Sequence, residues 1–342
     1  MMAMAIDGRI PIGLNTYCLR GLKWNDAQLL EYAASLKLDA VFLQDSLDPG
    51  AQDPQHWKQV KQHASQLGLH LETGGGAILP KSASELNASV TRLLKQIERA
   101  ATMGSPVVRA LLASDRAHFP PGTVEQHMEA AIQILRAVRT QAMDARVKIA
   151  IENHKDLHAW ETRAVIEGAG KEFVGSYLDT GNPVFIFEDP MTTIETLGPL
   201  AVTVHLRDSV VYEVPRGAAV QWVVLGDGVN DFRQIVAKVR EVCPPVYIYI
   251  KPITGRPPVV MPYLDPETWE VYPRLRASEL ARFIALAKRG HPYEGRMVIE
   301  DVPGTKTAPE YEAAMAYQQK SDMERSVEFA KQRLDLGVRW RT

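Results

Sequence analysis

Short apolar, β-branched runs alternate along this chain with longer amphipathic stretches, and this rhythm restricts the fold more than any other feature. Eight runs predict strands, at residues 10–14, 40–43, 70–72, 107–111, 148–152, 174–179, 201–206 and 246–251. Between them the apolar spacing predicts helices at residues 26–35, 54–67, 83–103, 124–143, 160–169, 190–197 and 231–242.

Strand followed by helix is the order of a parallel sheet with right-handed crossovers. The 342 residues would suffice for two ordinary domains, because single cores stop growing at roughly 250–300 residues. Eight consecutive βα units instead favour one closed barrel. The predicted fold class is therefore α/β, a single (β/α)8 TIM barrel spanning residues 1–342.

The eighth unit is extended. Residues 252–296 form a long insertion rich in proline and aromatic residues, which ends in a predicted helix at 277–289. A segment of this length is typical of a lid, and we expect residues 254–272 to cover the barrel mouth. A helical extension over residues 308–337 should pack against the outside of the barrel.

Charge and cysteine content limit the partners. With 39 basic and 41 acidic residues the formal charge is −2, which gives no broad cationic field for nucleic acid. Cys18 and Cys243 stand alone, outside any CxxC or Cys/His cluster, as in a reducing compartment. The chain shows no basic-then-apolar leader and no run of ~20 apolar residues. We expect a cytoplasmic protein without a membrane or nucleic-acid partner; assembly into a homo-oligomer is left open.

Each predicted strand ends in a polar or charged residue, and in such barrels the catalytic groups lie at the C-terminal strand ends. These residues are Asn15, Gln44, Glu72, Arg109, Glu152, Asp179, His205 and Lys251. Side chains alternate with period two along a strand, so Ala150 and Glu152 share a face, as do Tyr177 and Asp179. The polar ends of strands five to eight can therefore point inward together.

Glu152, Asp179 and His205 end three successive strands and form a candidate metal site. Two carboxylates and an imidazole suit Mn²⁺, Mg²⁺, Co²⁺ or Zn²⁺. Such an oxygen-rich set of ligands is not typical of a structural zinc site. The alternative is that each is a buried polar residue satisfied by its neighbours. Their succession and matched parity favour the metal site, with bonds of about 2.0–2.3 Å for the smaller ions.

Four strand-end motifs carry a family resemblance. Residues 149–154 (IAIENH), 178–182 (LDTGN), 204–208 (VHLRD) and 225–232 (LGDGVNDF) resemble those of the xylose isomerase-like TIM barrels, the sugar isomerase/epimerase superfamily. The match runs in order from about residue 10 to 251. More loosely, residues 251–269 are similar to a branch of sugar isomerase/epimerase-like proteins.

The resemblance implies a carbohydrate substrate and a divalent metal, Mn²⁺ before the other candidates, held by Glu152, Asp179, His205 and a fourth carboxylate on strand eight. This sequence departs there, because the corresponding residue is Lys251. A second phrase, residues 291–300, also resembles strand eight and would offer Glu300. Strand counting disfavours Glu300, since the barrel is already complete at Lys251.

Lys251 alters the expected chemistry. The family's epimerases use two glutamates on opposite sides of the sugar, and an ammonium in place of one weakens that mechanism. Lys251 and Glu152 remain candidate catalytic residues. We expect the lysine to point into the site, within about 4–6 Å of Glu152 or Asp179. It would act as acid or base, or pair with the carboxylates in a site without metal.

Several other residues are functional candidates, but each also has an ordinary structural explanation. His154 shares the parity of Glu152 and is a catalytic candidate, though a structural hydrogen bond would explain it equally well. His118 is more typical of a solvent histidine. Five tryptophans include a candidate sugar platform, yet core packing explains most tryptophans. Candidate substrate-binding residues are Glu72, Arg109, Asn182, Arg207 and Arg256, and such arginines are as often paired with neighbouring acids.

These observations predict a metal-dependent isomerase or epimerase that transfers a proton next to the carbonyl of a sugar or keto sugar. One alternative is a lyase that eliminates the aglycone of a 3-keto glycoside, since some relatives of the superfamily do so and Lys251 suits elimination. The other is a catalytically inactive sugar-binding barrel in which Lys251 neutralises the site.

Overall fold

The structure is a computed structural model, which describes residues 9–44, 48, 50–80, 82, 85–294 and 299–341. The strands in these ranges are β1 (Ile12–Asn15), β2 (Ala40–Leu43), β3 (His70–Thr73), β4 (Val107–Ala110), β5 (Lys148–Glu152), β6 (Val174–Asp179), β7 (Ala201–Leu206), β8 (Asp208–Val214), β9 (Gly217–Val223), β10 (Ile248–Ile250) and β11 (Val259–Met261).

The helices in the same ranges are α1 (Asp26–Ser35), α2 (Pro54–Gln66), α3 (Leu86–Met103), α4 (Val124–Ala137), α5 (Arg139–Ala145), α6 (Ala159–Ala169), α7 (Pro190–Leu197), α8 (Phe232–Val242), α9 (Thr268–Val271), α10 (Ala277–Arg289) and α11 (Pro309–Leu334). Side-chain caps fix several starts. Asn25 and Gln28 form a capping box at α1, and Thr123 and Gln126 form one at α4.

Eight parallel strands close the barrel in the order β1-β10-β7-β6-β5-β4-β3-β2. The predicted α/β barrel is confirmed, and β10 is its eighth strand, as strand counting required. Glu300 lies outside the barrel sheet, in an exposed segment before α11. Residues 83–84 of the predicted third helix lie outside the described residues, and α3 begins at Leu86.

Large aromatic side chains fill the barrel interior. Phe42, Tyr177 and Tyr249 pack there with Ala40, Val107 and Ala150. Gly13 on β1 makes room for them, because a Cβ at this position would stand 2.7 Å from the Tyr249 ring and 2.4 Å from the Ala40 carbonyl oxygen. The interior is therefore a packed core that ends in polar groups at the C-terminal mouth.

The sequence did not predict the hairpin β8–β9. The two strands pair antiparallel, and β11 joins β9 to make a three-stranded sheet in the order β11-β9-β8. Phe283 and Leu286 of α10 pack on this sheet with Val211 and Val220. Part of the insertion thus builds a second small core beside the barrel mouth.

One further difference concerns a helix. The helix predicted at 124–143 is broken at Val138, where the backbone leaves helical geometry (φ −105°, ψ 6°) between α4 and α5. The C-terminal extension is one helix, α11, whose Met323, Val327, Ala330 and Leu334 join the main core.

Within the described residues we find no helix long and apolar enough to cross a membrane. Both cysteines are free thiols.

Candidate active site

Three strand ends meet on the floor of the barrel mouth. Glu152 is the last residue of β5, Asp179 the last of β6, and Lys251 follows β10 directly. The Lys251 ammonium nitrogen lies 2.9 Å from Glu152 Oε1, 3.0 Å from Asp179 Oδ2 and 2.9 Å from the Tyr177 hydroxyl oxygen. All are buried. The lysine therefore points into the site and joins the two carboxylates, as expected from the charges.

Glu152 is held by two other groups. Arg109 donates to Oε2, and the Asn182 amide donates to Oε1 at 3.0 Å. Burial alone would raise the pKa of Glu152, but the charges of Arg109 and Lys251 outweigh it and hold this pKa well below its usual range. Glu152 is thus a carboxylate whose two oxygens are both engaged by donors.

Asp179 is held in the same manner. Its Oδ1 accepts the backbone N–H groups of Gly181 and Asn182 at 2.9 and 3.1 Å, and its Oδ2 lies 2.9 Å from the Arg207 guanidinium. Asn182 also accepts from Arg207 at 3.0 Å, which ties the ends of β6 and β7 together. Burial and the neighbouring Arg207 lower the pKa of Lys251, while Glu152 and Asp179 oppose that shift.

His205 lies apart from this network. Its ring stacks on Tyr177 at 3.8 Å between centroids and near Tyr249 at 5.0 Å. Its Nε2 is 3.3 Å from the Thr203 hydroxyl, and its buried Nδ1 has no hydrogen-bond partner. Burial, and next the Lys251 ammonium, hold the pKa of His205 well below its usual value, so the ring is a neutral part of the interior.

With Lys251 bound between the two carboxylates, this arrangement does not fit a divalent metal held by Glu152, Asp179 and His205. Three cations, Arg109, Arg207 and Lys251, already face two carboxylates, so a further double charge would be repelled. In the described ranges, side chains whose ligand atoms lie within 4.8 Å of one another form two other groups. These are Asp26, Asp48 and His56, and His158, Glu188 and Glu279.

A cavity of about 640 Å³ opens above Lys251. Its lining includes five cationic side chains, and none of its described lining residues is acidic; the cations are Arg109, Lys155, Arg207, Lys251 and Arg256. Asp115 stands 3.9 Å from Lys155, and Asp301 stands 3.6 Å from Arg256. The cavity is accordingly suited to an oxygen-rich, electron-rich ligand.

Aromatic rings form one wall of the cavity. Trp222 on β9 contacts the Phe185 ring at 4.6 Å between centroids, with the two rings tilted by 48°, and donates from Nε1 to the Gly181 carbonyl at 2.8 Å. The Arg207 guanidinium lies 4.4 Å above the Trp222 ring. Among the five candidate tryptophans, Trp222 is a cavity residue; Trp57, for example, is buried in the main core. Such a flat face suits a sugar ring.

His154 lines the same cavity and is only partly exposed. Its Nδ1 is 2.5 Å from the Ser114 carbonyl oxygen, which assigns the ring proton to Nδ1 and a lone pair to Nε2. Burial lowers the pKa of His154 to about 4, although Glu152 opposes this shift. The imidazole is therefore neutral at neutral pH and as weakly basic as a carboxylate.

Of the five candidate substrate-binding residues, three line the cavity and two do not. Arg109, Arg207 and Arg256 reach the cavity, whereas Asn182 supports Glu152 beneath it. Glu72 is buried inside the barrel, 3.5 Å from His70, and is not among the residues that line the cavity.

His118, although it follows strand four, is exposed and contacts Asp115. The sequence reasoning missed Tyr177 as a partner of Lys251, although Tyr177 shares the parity of Asp179, and it missed Lys155.

Comparison with known proteins places this geometry in context. The family model described as xylose isomerase-like TIM barrel matches residues 30–243. A solved D-psicose 3-epimerase with D-fructose is 14% identical and covers 95% of this chain and 99% of its own, with a TM-score of 0.64. A xylose isomerase-like TIM barrel protein from Mycobacterium smegmatis in complex with magnesium is 15% identical and covers 72% and 91%, with a TM-score of 0.56.

A curated relative, the uncharacterized protein YihM of Escherichia coli K12, is 24% identical over 99 residues. That aligned part is 29% of this chain and 30% of the relative, so the chain matches less than a third of that relative's length. The solved structures are similar in fold.

Proposed function

Because this chain belongs to the xylose isomerase-like TIM barrel family, we propose that it is an enzyme that transfers a proton next to the carbonyl of a sugar or keto sugar, as an isomerase or epimerase. The observation that carries the proposal is the buried Lys251–Glu152–Asp179 network beneath a cation-rich cavity at the barrel mouth. The family's sugar epimerases, such as the D-psicose 3-epimerase seen with D-fructose, support a carbohydrate substrate.

In this proposal the cavity residues have separate roles. Trp222 and Arg256 would hold the sugar ring and its hydroxyl groups. Nε2 of His154 would take the proton from the carbon beside the carbonyl, since this nitrogen carries a lone pair at neutral pH. Return of the proton to the former carbonyl carbon, with transfer of the neighbouring hydroxyl proton to the former carbonyl oxygen, gives the isomer. Protonation of the first carbon from the opposite face by a water molecule, with the proton on His154 released to solvent, gives the epimer.

Negative charge then develops on the carbonyl oxygen. Lys251 and Arg207 line the cavity and supply fixed positive charge there, in a place where burial makes such charge effective. Glu152 and Asp179 hold these two cations in position. In this proposal Lys251 takes the part that a divalent ion plays in the relatives with bound metal. The Mn²⁺ expected at Glu152, Asp179 and His205 stays a prediction, and it requires Lys251 to leave.

The test is proton exchange in D₂O. A panel of ketoses and keto sugars is incubated with the protein, and deuterium beside the carbonyl is measured by NMR before and after removal of metal by a chelator. We expect exchange that survives chelation and is lost in His154→Gln. A sugar that binds saturably without exchange would favour the inactive barrel, and aglycone release from a 3-keto glycoside would favour the lyase.

A further inference from the structure

Three ionisable side chains meet where the insertion helix α10 packs against the barrel. His158 precedes α6, Glu188 lies between β6 and α7, and Glu279 is in the first turn of α10. One ligand atom from each lies within 4.8 Å of those of the other two. Their exposed fractions are 0%, 0% and 6%. None of them lines the cavity above Lys251, so the cluster is separate from the proposed active site.

His158 is buried without compensation. Neither of its ring nitrogens has a hydrogen-bond partner, and the same holds for Oε2 of Glu279. A buried polar group left unsatisfied costs about 1–3 kcal/mol, so such groups ordinarily mark a missing ligand or water. The Glu161 carboxylate accepts the backbone N–H of His158 at 2.8 Å in the capping box of α6, and the His158 ring makes an edge contact with the Tyr272 ring at 5.9 Å between centroids.

The two carboxyl groups are poorly neutralised. Glu188 accepts from the Ala159 backbone N–H at 3.0 Å and from the Thr193 hydroxyl at 2.7 Å, both uncharged donors. Arg276 stands 3.5 Å from Glu279 at the outer side, and its own side chain is mostly exposed. The other nearby cation, Arg116, is paired with Glu161.

We propose that His158, Glu188 and Glu279 bind one divalent transition-metal ion of the Zn²⁺ class. One imidazole nitrogen and two carboxylate oxygens are a donor set that such ions accept, with water completing the shell. Ligand atoms in a tetrahedral zinc shell lie about 3.4 Å apart for bonds of about 2.1 Å, so atoms that already lie within 4.8 Å of one another would have to approach by at most about 1.4 Å in each pair.

The ion would have a structural role. Its ligands come from three elements that are distant in sequence, and Glu279 belongs to the helix that supports the three-stranded sheet. Binding would fasten α10 to the start of α6 and to the segment after β6. It would thereby fix the insertion beside the cavity without taking part in the chemistry at Lys251.

The experiment uses the full chain, stripped by a chelator and titrated with Zn²⁺ by calorimetry, and with Co²⁺ by visible absorption. We expect one tight equivalent, whose affinity falls at least about tenfold in His158→Gln and in Glu279→Gln. His56→Gln is the matched control, since it removes an imidazole from the other group of metal-type side chains. Lys251→Met should also keep the equivalent, which separates this proposal from the proposed function.

Retained binding in both His158→Gln and Glu279→Gln would overturn the proposal, as would a wild-type protein that binds no Zn²⁺ at micromolar concentration. Loss of the equivalent in His56→Gln alone would assign the ion to Asp26, Asp48 and His56 instead. If His158→Gln does not fold, Glu279→Gln and the wild-type Co²⁺ spectrum decide, because nitrogen ligation shifts that spectrum away from the all-oxygen form.

Discussion

The ammonium of Lys251 lies 2.9 Å from Oε1 of Glu152, and the two side chains come from opposite parts of the barrel wall, with β6 and β7 between their strands. Neither is exposed. A buried charge pair of this kind repays its desolvation only when further donors and acceptors complete it. Arg109 and Asn182 on the glutamate, and Tyr177 and Asp179 on the lysine, complete it here.

The first prediction concerns removal of that ammonium. In Lys251→Met the remaining pairs, Arg109 with Glu152 and Arg207 with Asp179, are balanced one to one, so the fold should survive with a loss below about 3 kcal/mol in the free energy of unfolding. Deuterium exchange should fall by about 10²–10³, because a fixed charge at the reacting oxygen is lost. Lys148→Met, at the other end of β5, is the control and should keep full exchange. Unchanged deuterium exchange in Lys251→Met would show that the lysine takes no part in the mechanism.

The second prediction restores a carboxylate to the eighth strand end. Lys251→Glu changes the local charge by two units beside Glu152 and Asp179, and we expect this variant to bind one more equivalent of Mn²⁺ than wild type. Calorimetry measures the number of equivalents. Glu300→Gln, which alters a residue outside the barrel sheet, should leave Mn²⁺ binding as it is. If Lys251→Glu gains no equivalent, the position is not that of a metal ligand.

The third prediction follows from the buried neutral ring of His205. Its pKa is held well below the ordinary value of about 6.5, first by burial and then by Lys251. Below about pH 6.5, His205 therefore binds a proton in the unfolded chain but not in the folded protein. The free energy of unfolding should fall by about 1.4 kcal/mol for each pH unit lost through this one group.

His205→Phe keeps the aromatic stack on Tyr177 and removes the titrating nitrogen. Urea unfolding at pH 7, 6 and 5 should show a shallower pH slope in this variant than in wild type. The control is His118→Phe, a substitution at an exposed side chain, whose slope should match wild type. Equal slopes in all three proteins would mean that His205 accepts a proton in the folded state.

The sequence predicts the barrel well because the fold rests on short-range signals. The predicted bounds of β5 and β6 match the structure. Of the predicted polar strand ends, Gln44, Arg109 and Lys251 line the cavity, whereas Glu72 and His205 lie in the barrel interior. The hairpin β8–β9 has a signal in the sequence as well, since runs with β-branched and aromatic residues flank the two-residue turn Pro215–Arg216, which is followed by Gly217.

What the sequence could not supply depends on packing between distant strands. Parity directs His205 inward, but Tyr177 from β6 and Tyr249 from β10 decide that its ring stacks in the interior and stays away from the carboxylates. The cluster of His158, Glu188 and Glu279 was likewise invisible, because its three members belong to separate elements with no common spacing.

The last prediction concerns the segment after residue 298 that closes the cavity. Gly255 has φ +81°, and a Cβ there would stand 2.5 Å from the Ile299 carbonyl oxygen. Its own carbonyl accepts the Asp301 N–H at 2.8 Å, just before the cavity residues Val302 and Pro303. Gly255→Ala should therefore push this segment outward, raise KM about tenfold with little change in kcat, and destabilise the fold by about 1–3 kcal/mol.

Gly304→Ala is the matched control, since Gly304 has nearly the same φ, +78°, but nothing within 4 Å of the added carbon. Gly304→Ala therefore places an alanine at an unfavourable positive φ, as Gly255→Ala does, but introduces no steric clash. Amide hydrogen exchange of residues 299–302, measured with and without a saturating sugar, should rise in Gly255→Ala and remain as in wild type in Gly304→Ala. If both alanine variants raise KM equally, strain alone explains the effect and the contact between Gly255 and Ile299 does not shape the cavity.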